Sequence, residues 1–403
     1  MNPAIIQHES TRLGPRLSSR ASGIELTPLQ KALAAVAQPD ILSLAMGLPD
    51  TSLFPASTLA RAAESALGRD PSLLQYTLPC PALKEKICRM MLDMGVDCTP
   101  DCIFLTNGAQ QAINLLTLLF LDHGGPILEE ELSYPGFQHL VDLYHPKVFR
   151  VPTSREDGID VVAVATLLES GIRPAFMYLM PNAHNPLGVD LPLHKRRILA
   201  GLARDFQVPL IEDDPYGALV YEGERLAPIR ALEPDWSYYV GSFSKILGPS
   251  LRVGWIVAPK KHVEILSVIK EGFDLNVTTF SQYVINEFLC TEELPTHIHS
   301  LCDIYRQRRA AMNQALQIHF PEQAHWRIPS SGFFFWVDLP DSIDSAELLS
   351  VCLRDEHVAF LPAQAFSRNE ISNGMRLNFT RHNEEQISKA VARIGRVLCR
   401  MLS

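Results

Sequence analysis

Short apolar runs alternate with longer amphipathic stretches through the middle of the chain. Residues 102–105 precede an amphipathic run that begins near Ala109, residues 126–129 and 175–180 are further apolar runs, 209–212 follows a stretch rich in Arg, Leu and Ala, and 236–240 comes next. Runs apolar at successive rather than alternate positions read as strands buried on both faces. The rhythm predicts an α/β fold with a large, doubly wound, mainly parallel sheet and helices on both faces. Ligands of such sheets bind beyond the carboxyl ends of the strands. The loops after these runs are therefore where chemistry is expected.

Past Phe280 the texture changes. A helical stretch through Arg306, Arg308 and Arg309 leads to an aromatic strand at 332–338, and shorter strand and helix signals continue to the end. The expected organisation is an arm over 1–45 that packs on the small domain or a partner, a large domain over 46–299, and a smaller α+β domain over 300–403. No internal repeat or low-complexity tract interrupts it.

The chain has 403 residues, 47% hydrophobic and 20% charged, with a formal net charge of -9. That length allows a large core and a second domain. The acidic balance gives no electrostatic case for nucleic acid or an anionic membrane, and no apolar stretch approaches the roughly 20 residues needed to span a bilayer. Arg12, Arg16 and Arg20 stand near the N-terminus without an apolar h-region, and Glu9 and Glu25 interrupt the basic character of an amphipathic targeting segment. Eight cysteines without a Cys-x-x-Cys pair suggest free thiols in a reducing compartment. His184 and His194 lack metal-ligand spacing. The expectation is a cytoplasmic protein with no disulfide and no metal site.

Five elements follow predicted strands or lie within one. Ser242, Ser244, Lys245 and Arg252 come just past the 236–240 run. A lysine there can form a Schiff base, and the hydroxyls and guanidinium can hold a phosphate. Thr106-Asn107-Gly108-Ala109-Gln110 joins strand to helix and can place backbone N–H groups on an anion. Asn185-Pro186 in a Gly-ended turn can present a rigid amide, and Glu212-Asp213-Asp214-Pro215-Tyr216 offers a carboxylate for a protonated ring nitrogen. Arg376, in an alternating strand at 374–379, can bind a carboxylate bidentately. Taken singly, each has an ordinary alternative: an exposed turn, a capped helix, a solvated acidic loop or a cross-strand salt bridge.

Taken in order, they resemble the fold-type I pyridoxal phosphate (PLP)-dependent aminotransferases of class I/II. More narrowly, the chain is similar to the branch of 2-aminoadipate and kynurenine aminotransferases and of the aminotransferase-like domains of GntR-type regulators, from about Ile41 to near the C-terminus. The resemblance implies that Lys245 is the Schiff-base lysine, that Asp213 pairs with the pyridine nitrogen, and that Asn185 and Tyr216 contact the ring hydroxyl. It implies a phosphate cup of Ala109, Gln110, Ser242, Ser244 and Arg252, with Tyr134 stacked on the ring and Arg376 holding the substrate carboxylate. It also implies a homodimer with shared active sites, Tyr76 reaching the partner's phosphate site. Met46, Gly47 and Arg20 fall where relatives read the substrate.

Departures concentrate on that substrate side. Relatives often have Gly-Gly-x-Pro where this chain has Met46-Gly47-Leu48-Pro49, Pro79-Cys80-Pro81 lacks the usual glycine, and Leu275-Asn276-Val277-Thr278 and Pro362-Ala363 also differ. These leave open whether the reaction is transamination by a ping-pong mechanism or a PLP-dependent elimination, replacement or cyclisation. A PLP-sensing regulator is a third reading, for which the 40 or so residues ahead of the resemblance show no recognition-helix pattern.

Overall fold

The apolar runs of the middle of the chain assemble into one seven-stranded sheet. The computed structural model describes residues 40–274, 277–368 and 371–403. In chain order the strands are β1 (Ile103–Thr106), β2 (Pro126–Glu130), β3 (Lys147–Val151), β4 (Met177–Leu179), β5 (Leu210–Asp214), β6 (Ser237–Ser242) and β7 (Gly254–Val257). Their spatial order is β1-β7-β6-β5-β4-β2-β3. All residues of β1, β4, β5, β6 and β7 are buried, as continuous apolar runs require of strands covered by helices on both faces.

The sheet is mixed rather than uniformly parallel. β7 pairs antiparallel with both β1 and β6. The connection over 243–253 is too short for a helical crossover, so the chain must turn back on itself. Neither β7 nor β3 was predicted from the apolar runs: Gly254 and Arg252 obscure the former, and Lys147 and Arg150 break up the latter.

A second, four-stranded sheet comprises β8 (His325–Trp326), β9 (Phe334–Asp338), β10 (Leu361–Pro362) and β11 (Gly374–Asn378), in the order β8-β9-β11-β10. The aromatic strand is thus central here, with Phe334 opposite Asn378 and Trp336 opposite Arg376. Phe333, Phe334 and Phe335 are fully buried, in one continuous core with Leu105, Ile113 and Tyr216 of the large-sheet region. That shared core fixes the second sheet against the strand ends of the first. Near the chain terminus, Ile387, Val391, Ile394 and Leu398 form one buried face of a helix over Glu384–Leu402. Asn383 and Gln386 close its start in a reciprocal capping box.

A 27-residue helix, Glu293–His319, runs through the expected boundary at position 300. Leu42–Ser43, within the predicted arm, pairs in parallel with Val358–Ala359 and so joins the C-terminal part of the chain. Arg20 lies outside the described residues, as do Leu275 and Asn276.

Candidate active site

The strand ends and the second sheet enclose a cavity of about 260 Å³. Its lining includes Met46, Gly47, Ala109, Gln110, Tyr134, Asn185, Asp213, Tyr216, Ser242, Ser244, Lys245, Arg252 and Arg376, so most of the residues singled out in the sequence meet here. Tyr76 does not: it is 79% exposed and outside this wall.

Asp213 is the penultimate residue of β5. Its Oδ2 accepts a hydrogen bond of 2.8 Å from the Tyr178 hydroxyl, while Oδ1 is buried with no partner among the described residues. Burial pushes its carboxyl up to about 7, against the opposing influence of the Tyr178 hydroxyl and Lys245. A buried carboxylate with an unused acceptor is suited to a cationic N–H donor, such as a protonated pyridine nitrogen. In the sequence Tyr178 reads as one more aromatic of a buried strand. Its signal was the hydroxyl, which a buried tyrosine must satisfy.

Lys245 lies in the turn after β6, and its Nζ donates to the Gly47 carbonyl at 2.8 Å. Burial, and then the positive charge of Arg376, lowers its pKa to about 8. That shift brings the neutral, nucleophilic amine within reach of ordinary pH. Tyr216 is buried, its hydroxyl held well above the usual phenol range by that burial, and its ring packs against Phe333 and Phe334. It therefore stays a protonated donor.

A polar cup forms where β1 enters the helix Ala109–Phe120. Gly108 caps that helix at φ 84°, and a Cβ there would lie 2.8 Å from the Arg252 guanidinium. Glycine thus permits both the turn and the close approach of the cation. The Gln110 side chain is committed to the Gly136 carbonyl at 2.7 Å, so its contribution to the cup is its backbone N–H at a helix N-terminus. Ser242 Oγ accepts from the Ser244 backbone N–H at 3.1 Å and donates to Ser244 Oγ at 3.0 Å. Arg252 donates to the Asn107 carbonyl at 2.8 Å. Asn107 is anchored in turn by donating to Asp274 at 2.7 Å. Two hydroxyls, a guanidinium and a helix N-terminus converging on one end of the cavity fit a phosphate dianion.

The second sheet contributes a guanidinium of the kind that suits a carboxylate. Arg376 Nη1 donates to Asn185 Oδ1 and Nη2 to the Ala45 carbonyl, both at 2.6 Å, and Nε is buried with no partner among the described residues. The guanidinium carbon lies 4.0 Å from the Phe334 ring centroid and 5.0 Å from that of Phe366. Burial lowers its pKa to about 10. Among the described residues its hydrogen-bond partners are an amide and a carbonyl oxygen, not a carboxylate, so the buried charge remains to be balanced by a ligand. The bond from Arg376 occupies the oxygen of Asn185, which leaves the amide NH₂ as its donor.

Comparison with known proteins decides the family. The profile of aminotransferases of class I and II matches residues 39–394. The chain is a class I/II aminotransferase. It is 31% identical over 391 residues to aromatic-amino-acid aminotransferase 1 of Thermococcus litoralis, covering 94% of this chain and 93% of that protein. It is 32% identical to the 2-aminoadipate transaminase of Thermus thermophilus, covering 95% of this chain and 96% of the relative. The crystal structure of Pyrococcus horikoshii kynurenine aminotransferase, in complex with PMP and kynurenine, superposes with a TM-score of 0.91 at 30% identity, covering 96% of this chain and 98% of that one.

This aminotransferase accordingly has the fold-type I architecture and uses PLP to move amino groups between amino acids and 2-oxo acids. The orphaned Asp213 oxygen and the converging phosphate donors fit that cofactor. Aminotransferase relatives along nearly the whole chain favour transamination over the elimination and regulator readings. Among the described residues, no helix is long and apolar enough to cross a membrane.

Proposed function

We propose that this cavity is the transamination site, with Lys245, Asp213 and Arg376 as its working groups and an apolar α-amino acid as donor. The supporting observation is that three buried or half-buried ionisable groups from two sheets face one space, two of them with an unpaired atom. PLP, when bound, supplies an electron sink for the charge left at the substrate's Cα. Asp213, accepting from the ring N–H, keeps that nitrogen protonated, and Tyr178 holds the carboxylate in place. Lys245 Nζ takes the proton from Cα and returns one to the cofactor's C4′ carbon. Arg376 receives the α-carboxylate, and Asn185 and Tyr216 donate to the ring hydroxyl. Ala109, Gln110, Ser242, Ser244 and Arg252 hold the phosphate, and Tyr134 covers the ring.

The donor class rests on the rest of the wall. Met46, Leu48, Ile113, Met180, Phe334 and Leu361 are apolar, and each cation of the described lining already has a task. The relatives named for aromatic amino acids and kynurenine are in line with this. Leu74, Tyr76 and Leu78 are 71%, 79% and 84% exposed, an apolar strip that supports a homodimer in which Tyr76 reaches the neighbouring site. Eight free thiols support a cytoplasmic location. An amino-acid screen that follows cofactor absorbance and 2-oxo acid release tests the reading. Conversion of apolar donors supports it. A holoenzyme that converts no amino acid in the absence of acceptor overturns it.

A further inference from the structure

Asp213 and Asp214 are consecutive in β5, so their side chains leave opposite faces of the sheet. Asp213 serves the cavity described above. Asp214 stands in register with Gly241 of β6, which is in register with Trp255 of β7. This row faces a second cavity of about 470 Å³, closed on its far side by the start of the helix Glu293–His319. Asp214, Arg225 and Trp255 all line it.

Two buried polar atoms in this row have no partner among the described residues: the acceptor Asp214 Oδ1 and the donor Trp255 Nε1. Asp214 Oδ2 accepts from the Tyr239 hydroxyl at 2.9 Å, and Arg225 Nη2 lies 3.7 Å from it, an ion pair without a direct hydrogen bond. The carboxylate is packed so tightly that a Cβ on Gly217 would come within 2.5 Å of both oxygens. The remaining wall is mixed: Met94, Leu294, Pro295 and Ile298 give it an apolar face, and Asp93, His299 and Arg306 also line it.

We propose that this cavity is a second, non-catalytic binding site for an apolar α-amino acid. A zwitterion carries its cation and anion a few ångströms apart, which is how Asp214 and Arg225 present the complementary charges. The ammonium donates to Asp214 Oδ1, the carboxylate accepts from Arg225, and the side chain occupies the apolar wall. The ligand thereby meets both members of the pair at once, the buried Asp214 and the partly exposed Arg225. Pro215 and Ser242 line both cavities, so occupancy is transmitted to the loop of Tyr216 and the phosphate cup. Binding itself is independent of the catalytic reading; its effect on turnover rests on that reading.

Calorimetry with L-phenylalanine on borohydride-reduced holoenzyme tests the proposal, comparing wild type with R376A to separate the two cavities. One saturable event per chain that survives R376A is expected. R225Q, which removes the carboxylate partner, and I298W, which fills the cavity, should each weaken it roughly ten- to hundredfold. Cofactor absorbance and melting temperature report whether each variant is folded, and either folded variant suffices. No saturable event means a solvent-filled cavity only and overturns the proposal. So does binding lost in R376A, or binding unchanged in the folded cavity variants. A holoenzyme inactive towards every donor sinks the catalytic reading but leaves this titration unaffected.

Discussion

The two ends of the active-site cavity are built differently. At the cofactor end, Asp213 and Lys245 come from neighbouring strand ends of one sheet, and each side chain offers one chemical function that no other residue of the cavity wall duplicates. At the carboxylate end, Arg376 reaches in from the other sheet and is held by two oxygens and two aromatic faces at once. The first arrangement places chemistry. The second stabilises a buried charge by several partial contacts. Losses should therefore be steep at the cofactor end and graded at the carboxylate end.

The steepest is expected at Lys245. Lys245→Ala removes both the covalent attachment and the proton carrier, and general acid–base catalysis alone contributes about 10²–10⁴-fold. Transamination should fall by at least about 10⁴-fold, while PLP remains bound non-covalently through the separate phosphate cup. Borohydride trapping and peptide mapping on the wild-type protein check the assignment. An adduct on another lysine refutes it. Asp213→Asn comes next: an amide cannot balance a ring cation, and removing one preorganised electrostatic partner costs about 3–4 kcal/mol, a factor of several hundred in turnover. Near-normal turnover with bound cofactor would move the role away from Asp213.

The two ends also differed in how much the sequence disclosed. The residues proposed to hold the cofactor stand next to strand ends, so an apolar run followed by Ser-x-Ser-Lys or Asp-Asp-Pro-Tyr singles them out by local pattern. Arg376 was found as a lone cation in an alternating strand, but its partners were not. Ala45, Asn185, Phe334 and Phe366 are distant in sequence and meet only through the packing of two sheets. The carbonyl of Gly47 under Lys245 was invisible for a further reason: backbone acceptors carry no residue signature. The antiparallel β7 was missed because direction is set by the length of the connection, not by the composition of the strand.

A pH profile sharpens the cofactor end. Lys245 titrates near 8 rather than in the usual lysine range because its charged form is desolvated and lies near Arg376. Its neutral amine attacks the PLP aldehyde, so capture of PLP by the apoprotein should quicken about tenfold per pH unit below 8 and level off above it. Stopped-flow absorbance reads this directly. An inflection near 10 would show that the shift is absent. Arg376→Ala, by contrast, should raise KM for all amino acids and their 2-oxo acids by a common factor. Each charge-assisted bond lost is worth roughly 1.5–3 kcal/mol, and the amount of bound cofactor should not change.

The smallest effect isolates the aromatic faces that hold the arginine. Phe334 lies 4.0 Å from the Arg376 guanidinium carbon, so Phe334→Leu keeps an apolar side chain but removes the ring beneath the charge. A cation–π contact of a desolvated guanidinium is worth about 1–2 kcal/mol. In the free enzyme that loss falls on a buried cation still waiting for its anion; with substrate bound, the anion supplies most of the balance. The variant should therefore lose some thermal stability yet bind substrate with a KM changed by only a few-fold. Adding a saturating apolar monocarboxylic acid, such as 3-phenylpropionate, should recover part of the melting temperature. A variant with unaltered melting temperature would show that Asn185 and the Ala45 carbonyl suffice to hold the charge. A loss of turnover as steep as that of Asp213→Asn would erase the distinction between the two ends.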